Sequence, residues 1–256
     1  MRISFAYLAR VGSYFIIAGL LALFGSAQAE PLPKFSLPAE CQQLVIGIAP
    51  NWNASNATLQ SWERKGKTWT RVGNPWPVRL GKQGLVWGRG LHSPMDAVSK
   101  VEGDGRAPAG AFSILDAYGT EPSVKTAGGL PYHRIGERDL WVEDVKSPYY
   151  NQHLTLKQPP QTEWEKQQQM RMNDPAHKLK IFIAHNAGSD IKPGAGSSIF
   201  FHIWRQDGAK PSAGCSVMPE ANLRELIDWL RPAQQPIYVL LPQSAYAEAK
   251  VAWGLP

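Results

Sequence analysis

A cysteine and a histidine stand thirteen positions apart in settings that suit a nucleophile and its base. Cys215 closes the run Lys210-Pro211-Ser212-Ala213-Gly214-Cys215. His202 lies within Ser198-Ile199-Phe200-Phe201-His202-Ile203-Trp204, a β-branched and aromatic stretch that reads as a strand. In an extended strand the imidazole points to one face, where a loop can return a thiol to meet it. The thiolate is the reactive form of cysteine, and a neighbouring imidazole is the usual means of making it. The expected chemistry is acyl transfer: the sulfur attacks an amide carbonyl, a thioester forms, and an amine or water resolves it. Gly214 has no side chain to crowd the approach, and the N–H groups of Gly214 and Cys215 are candidates for an oxyanion hole. Ser212 is expected to hydrogen-bond within the loop or to hold substrate. The alternative for the pair is a buried cysteine and a satisfied core histidine.

This stretch resembles the L,D-transpeptidase (YkuD-type) catalytic domain, a family that remodels bacterial peptidoglycan. The family carries a strand histidine, a loop, then Ser/Thr-His-Gly-Cys, matched here by His202, Ser212, Gly214 and Cys215. A second block, Glu102-Gly103-Asp104-Gly105-Arg106-Ala107-Pro108-Ala109-Gly110-Ala111-Phe112, is similar to the family's Glu-Gly-Asp-Gly, Pro-x-Gly-x-Phe/Tyr segment and lies upstream in the expected order. The resemblance implies a mainly β, sandwich- or barrel-like fold, peptidoglycan stem peptides as substrate and no cofactor. It further implies that a backbone carbonyl suffices to orient His202. The chain departs from the family pattern in three places. Ala213 stands at the usual histidine, Ser216-Val217 replaces an apolar-Arg step, and the loop from His202 to Ser212 is short. Arg205 and Lys210 are the candidates to replace the missing positive charge. Hydrolysis by the same site, as an L,D-carboxypeptidase or endopeptidase, and a catalytically weak wall-binding module are the alternatives. A papain-like protease fits poorly, because there the cysteine comes early and the histidine far downstream.

The N-terminus reads as a secretory signal: Arg2 and Arg10 precede or flank an apolar run to Phe24, and Ala27-Gln28-Ala29 offers a small-x-small cleavage site. The expected organisation is a signal peptide over 1–29 and a single catalytic domain over 30–256, exported to the periplasm with no stable membrane anchor after cleavage. Removing 1–29 deletes two arginines and no acids, so the net charge falls from +6 to +4. That is mildly basic, with no basic run of the kind nucleic-acid binding requires. The exported setting raises a Cys41–Cys215 disulfide as an alternative to a free thiol. No His-x-x-x-His or Cys-x-x-Cys spacing supports a metal site. Glu102-Gly103-Asp104-Gly105 reads as a turn entering a strand rather than as a calcium loop. His185 reads as a strand-end histidine with a structural hydrogen bond, or else as a cleft residue. His92, His133, His153 and His177 read as solvated.

The positioning elements follow from residue periodicity. Strands are expected over 43–48, in a hairpin of 59–64 and 67–72 around Gly66, and over 76–80, 112–116, 139–145, 180–185, 197–204 and 236–241. Gly81–Gly90 reads as turn. Residues 147–178 read as an insertion or a lid, a loop followed by one helix with Thr162 near its cap. Leu223, Leu226, Ile227 and Leu230 recur at i, i+3, i+4 and i+7 after Pro219, which predicts an amphipathic helix stopped by Pro232.

Overall fold

The computed structural model describes residue 1 and residues 32–95, 98–170 and 174–256; the expected signal segment lies outside the described residues. The β-branched run near residue 45 forms β1 (Gln43–Ala49), followed by β2 (Asn56–Lys65) and β3 (Thr68–Arg79). Gly66 takes φ +62° in the turn of this hairpin, a conformation glycine reaches without steric cost. The strands expected at 67–72 and 76–80 are one continuous strand, β3. Next come β4 (Leu85–Trp87), β5 (Ala107–Gly119), β6 (Tyr132–Arg134), β7 (Asp139–Trp141) and β8 (His153–Thr155). The short helix α1 (Glu163–Gln167) precedes β9 (Leu179–Ile183), β10 (Phe200–Ile203), β11 (Ser216–Met218), α2 (Glu220–Trp229), β12 (Ile237–Pro242) and α3 (Gln243–Ala252).

Most strands join one sheet in the order β12-β1-β2-β3-β11-β10-β9-β5-β4. β5 pairs through Gly110–Ser113 with β12 and through Ile114–Gly119 with β9, which closes the sheet on itself like a barrel. β7 and β8 form a separate two-stranded ribbon. The fold is therefore mainly β, as expected. α2 buries Leu223, Leu226 and Ile227, the face that the periodicity predicts. Each such leucine or isoleucine removed from water contributes about 1.5–3 kcal/mol.

β9 and β10 position the site. They pair antiparallel, with Phe200 opposite Phe182, Phe201 opposite Ile181 and His202 opposite Lys180. Strand alternation sends Ile181, Ile183, Phe201 and Ile203 into the main core. It sends Phe182 and Phe200 to a second apolar cluster with Tyr118, Ile135, Trp141 and Met170, and Cys215 packs against that cluster. Lys180 and His202 share this second face.

Some elements differ from expectation for identifiable reasons. The glycine-rich 81–90 holds a buried strand, β4, which runs parallel to β5. β5 is longer than expected because its first half, Ala107-Pro108-Ala109-Gly110, is small rather than β-branched. The crowding explains the smallness: a Cβ on Gly110 would lie 1.9 Å from the His92 ring. β7 is shorter than the expected 139–145. In the insertion, α1 buries none of its residues. It is fixed instead by a capping box, in which Thr162 Oγ1 accepts from Glu165 N–H and Glu165 accepts from Thr162 N–H. α3 follows Pro242, where the sequence shows alanines but no wide apolar stripe. Among the described residues no helix is long and apolar enough to cross a membrane.

Candidate active site

Cys215 and His202 line one cleft of about 490 Å³. His202 lies within β10, and Cys215 immediately precedes β11, the strand parallel to β10. Trp141 at the end of β7 and Glu143 just after it line the cleft, and 166–170 do so from the end of α1 and beyond. The insertion thus walls the cleft.

The His202 ring is buried, and its Nδ1–H donates to the Ile203 carbonyl at 2.9 Å. That bond places the proton on Nδ1 and leaves Nε2 as the basic nitrogen. Burial, then the neighbouring His177, Lys180 and Arg205, lower the His202 pKa to about 3, so the ring is neutral at pH 7. His177 stacks on it with ring centroids 4.6 Å apart.

The Cys215 thiol is half-buried. It donates to the Ser198 carbonyl at 3.3 Å and accepts from the Phe200 N–H at 3.4 Å. Burial raises its pKa above the ordinary thiol value, opposed by the Phe200 N–H and by Lys180. The resting site is therefore a thiol beside a neutral imidazole, not a preformed ion pair, and no hydrogen bond joins the two. Ser198 presents its carbonyl from a left-handed backbone, φ +56°. Asn151 fixes that residue: its Oδ1 accepts from Ser198 N–H and Trp141 Nε1–H, while its Nδ2 donates to the His185 and Asn186 carbonyls. Cys41 is buried and free, as is the Cys215 thiol, so no disulfide links them.

Ser212 acts within the loop. Its Oγ donates to the Cys215 carbonyl at 2.6 Å and accepts from Gly214 N–H at 3.0 Å. This engages one of the two expected oxyanion donors, because Gly214 N–H already points at Ser212; the Cys215 N–H has no partner among the described residues. The glycine requirement at 214 has a different origin from the one expected. A Cβ there would meet the Arg106 carbonyl oxygen at 2.9 Å. Ala213, at the departure from the family pattern, is exposed in the cleft wall.

Arg205 lines the cleft but is held by Asp174, with Nε at 2.7 Å, and it donates to His177 Nε2 at 2.9 Å. Lys210 is exposed and does not line the cleft, so it is not placed to replace the missing charge. Two of the four histidines expected in solvent are elsewhere. His92 is buried against Trp253 and Trp87, and His177 belongs to the cleft. His185 is a structural histidine: Nδ1 accepts from Arg89 N–H and Nε2–H donates to the Ala195 carbonyl. Asp104 accepts from Val101 and Arg106 N–H, which makes its block a turn.

Lys180 is the residue in the cleft that sequence reasoning missed. It is 4% exposed, and burial lowers its pKa to about 8 against the pull of Cys215 and Glu143. A lysine in the run Leu179-Lys180-Ile181-Phe182-Ile183 reads as the solvent-facing position of a strand. Its Nζ is instead enclosed between the Met170 carbonyl and the Phe200 ring.

Comparison with known proteins bears on all of this. Among solved structures the chain is similar to Bd1075 from Bdellovibrio bacteriovorus, at 14% identity and a TM-score of 0.41, over 82% of this chain and 53% of that one. It is also similar to the helical cell shape determining protein Pgp2 from Campylobacter jejuni, at 12% identity and a TM-score of 0.37, over 78% and 48%. The chain thus spans about half the length of these structures. No curated protein matches it. The model of the L,D-transpeptidase catalytic domain, YkuD, matches residues 52–239, a stretch that runs from β2 into β12 and encloses the whole cleft. The chain belongs to the YkuD family of L,D-transpeptidase catalytic domains.

Proposed function

We propose that this protein is an exported cysteine acyl-transferase acting on peptidoglycan stem peptides, with Cys215 as nucleophile and His202 as base. One observation carries the reading: Cys215, in the loop entering β11, and His202, on the neighbouring parallel strand β10, line the same cleft, with His202 Nδ1 engaged by the Ile203 carbonyl. The domain is proposed to span 30–256 after removal of a signal at 1–29, and to act in the periplasm if the source cell has an outer membrane.

In this reading, substrate enters with the amide carbonyl over Cys215 and displaces the thiol's contact with Ser198. His202 Nε2 takes the thiol proton as sulfur attacks the carbonyl carbon. The Cys215 N–H donates to the developing oxyanion. The imidazolium then gives its proton to the departing amine nitrogen as the C–N bond breaks, leaving a thioester. An incoming amine attacks the thioester, loses its proton to His202, and releases the thiol. The first step needs an unprotonated base; burial keeps His202 unprotonated but also weakens it as a base, a cost that charge developing on the sulfur must offset.

The test is incubation of the reduced protein with tetrapeptide muropeptides and a free D-amino acid, read by mass spectrometry beside Cys215→Ala. Exchange of the terminal residue or crosslinked dimer, lost in the variant, is the expected result. Tripeptide alone assigns hydrolysis. An unchanged tetrapeptide in the wild-type sample overturns the acyl-transfer reading for this substrate.

A further inference from the structure

A second cavity, of about 130 Å³, shares a wall with the cleft and takes no part in the chemistry above. Arg89, Lys100 and Lys192 line it, and no acidic side chain does so among the described residues. Lys100 is already engaged: its Nζ meets Asp104 at 2.6 Å and donates to the Arg106 carbonyl at 2.8 Å. Arg89 is engaged in part. Its Nη2 meets Asp190 at 2.6 Å, but the Asp190 side chain is 89% exposed, and such pairs hold weakly. Arg89 Nε is buried with no hydrogen-bond partner among the described residues. Lys192 is exposed and pairs with no carboxylate among them. Met95, Val101 and Pro193 supply apolar lining. A guanidinium with an unmet donor, beside an unpaired ammonium, favours an anion.

The backbone under these cations is fixed. Asn186 Oδ1 accepts from Lys192 N–H at 2.8 Å, and its Nδ2 donates to the Lys192 and Gly196 carbonyls. Arg89 N–H donates to His185 Nδ1 at 3.2 Å. Little backbone order therefore remains to be lost on binding. The charge balance selects a monoanion, because the three cations face two carboxylates, Asp104 and Asp190. The apolar lining suits a carboxylate carried on an aliphatic chain better than a phosphate with nearly two charges. The place of the cavity selects the bearer. Glu102 N–H donates to the Gly194 carbonyl at 2.8 Å, which joins the two segments that form the shared wall. Glu102 and Ser197 line the cleft, Val101 and Gly194 the cavity, and Lys100 both. A polymer with one stem peptide in the cleft has neighbouring stems, each bearing carboxylates, to offer this wall.

We propose that the Arg89–Lys192 cavity binds a carboxylate of a stem peptide other than the one reacting, and so holds the polymer while the cleft works on a neighbouring stem. The inference rests on the peptidoglycan reading above. Two contacts on one polymer raise its effective concentration at the cleft, so the cavity favours intact wall over soluble fragments. It adds no covalent step.

The test measures co-sedimentation with purified peptidoglycan sacculi in the Cys215→Ala background, where the polymer stays uncut. Arg89→Gln, Arg89→Lys and Lys192→Gln are added to that background, and a second batch of sacculi has its carboxylates converted to methylamides. The same three substitutions, without Cys215→Ala, are assayed on a soluble tetrapeptide. Arg89→Gln is expected to weaken retention roughly tenfold, the effect of one charged hydrogen bond. Lys192→Gln is expected to weaken it by about two- to threefold, as for an exposed charge, and Arg89→Lys to recover part of the loss. Methylamide sacculi are expected to close the gap between the Arg89→Gln protein and its parent. Turnover of the soluble tetrapeptide is expected to stay unchanged throughout. Lys192 is exposed, so its variant reads the cavity even if Arg89→Gln disturbs the fold. Undiminished retention in both Arg89→Gln and Lys192→Gln overturns the proposal. So does an equal loss of tetrapeptide turnover, which would give these residues a part in the fold or the chemistry. Release from sacculi by inorganic phosphate but not by N-acetylglutamate would overturn it in favour of a phosphate ligand. A tetrapeptide left uncut by the unsubstituted protein, with the retention differences intact, would instead sink the acyl-transfer reading, so the two failures are distinguishable.

Discussion

At the scale of single residues, the site is a protonated thiol held by Ser198 and a neutral imidazole held by Ile203. Burial raises the Cys215 pKa, so its alkylation by iodoacetamide is expected to be slower at pH 7 than that of a free thiol. The rate should keep rising through the alkaline range without a plateau near neutrality. Cys41 contributes little, because burial pushes its pKa up to about 12. A pH–rate profile beside Cys215→Ala checks this, and a plateau near pH 6 would show a preformed thiolate. That Cys215 and His202 share one cleft was anticipated from the Ser-x-Gly-Cys frame after a strand histidine. Lys180, His177 and Ser198 were not anticipated. Their character comes from what the insertion and neighbouring strands lay over them, and no local pattern encodes that.

At the scale of elements, the loop before β11 and the insertion do the positioning. Gly214→Ala forces a methyl group against the Arg106 carbonyl. It is expected to cost about 1–3 kcal/mol, the usual range for overpacking, and to lower turnover by displacing the cysteine. Denaturant unfolding and a turnover assay measure both, and an unchanged protein would contradict the close approach. Asn151 makes four hydrogen bonds, one to Ser198 N–H and the others to Trp141, His185 and Asn186. Asn151→Ala leaves buried donors and acceptors without partners and is expected to destabilise by about 3 kcal/mol. A loss under 1 kcal/mol would mean that water replaces it readily. The amphipathic spacing of α2 and the β-branched runs of β1, β9, β10 and β12 announced those elements in the sequence. β4 and the first half of β5 did not, since tight packing there demands glycine and alanine, which carry no strand signal. α3 did not either, because its alanines bury a narrow face.

At the scale of the whole molecule, four histidines have lowered pKa values: His177 about 4, His185 and His202 about 3, and His92 below the ordinary 6.5, burial being the main cause in each. The unfolded chain therefore binds protons on these rings as pH falls through 6.5, while the folded protein does not. Stability contributed by keeping them neutral is present above pH 6.5 and is lost below it. Tm is expected to fall steadily between pH 6.5 and 5, with unfolding taking up protons on these four rings as pH drops. Calorimetry across that range checks the slope, and a flat Tm would mean that the rings are charged or solvated in the folded state. The mainly β, sandwich- or barrel-like fold was legible from the family resemblance and from strand spacing; the ring closure through β5 was not, because it depends on one long strand changing partners midway. The most direct test of Cys215 as the acyl nucleophile is acid-quenched mass spectrometry of the protein mixed with a tetrapeptide donor. The expected result is an adduct of the tripeptidyl mass, mapped to the peptide containing Cys215, removed by hydroxylamine and absent from Cys215→Ala. Donor consumed by Cys215→Ala at the wild-type rate, or an adduct on any other residue, would contradict it.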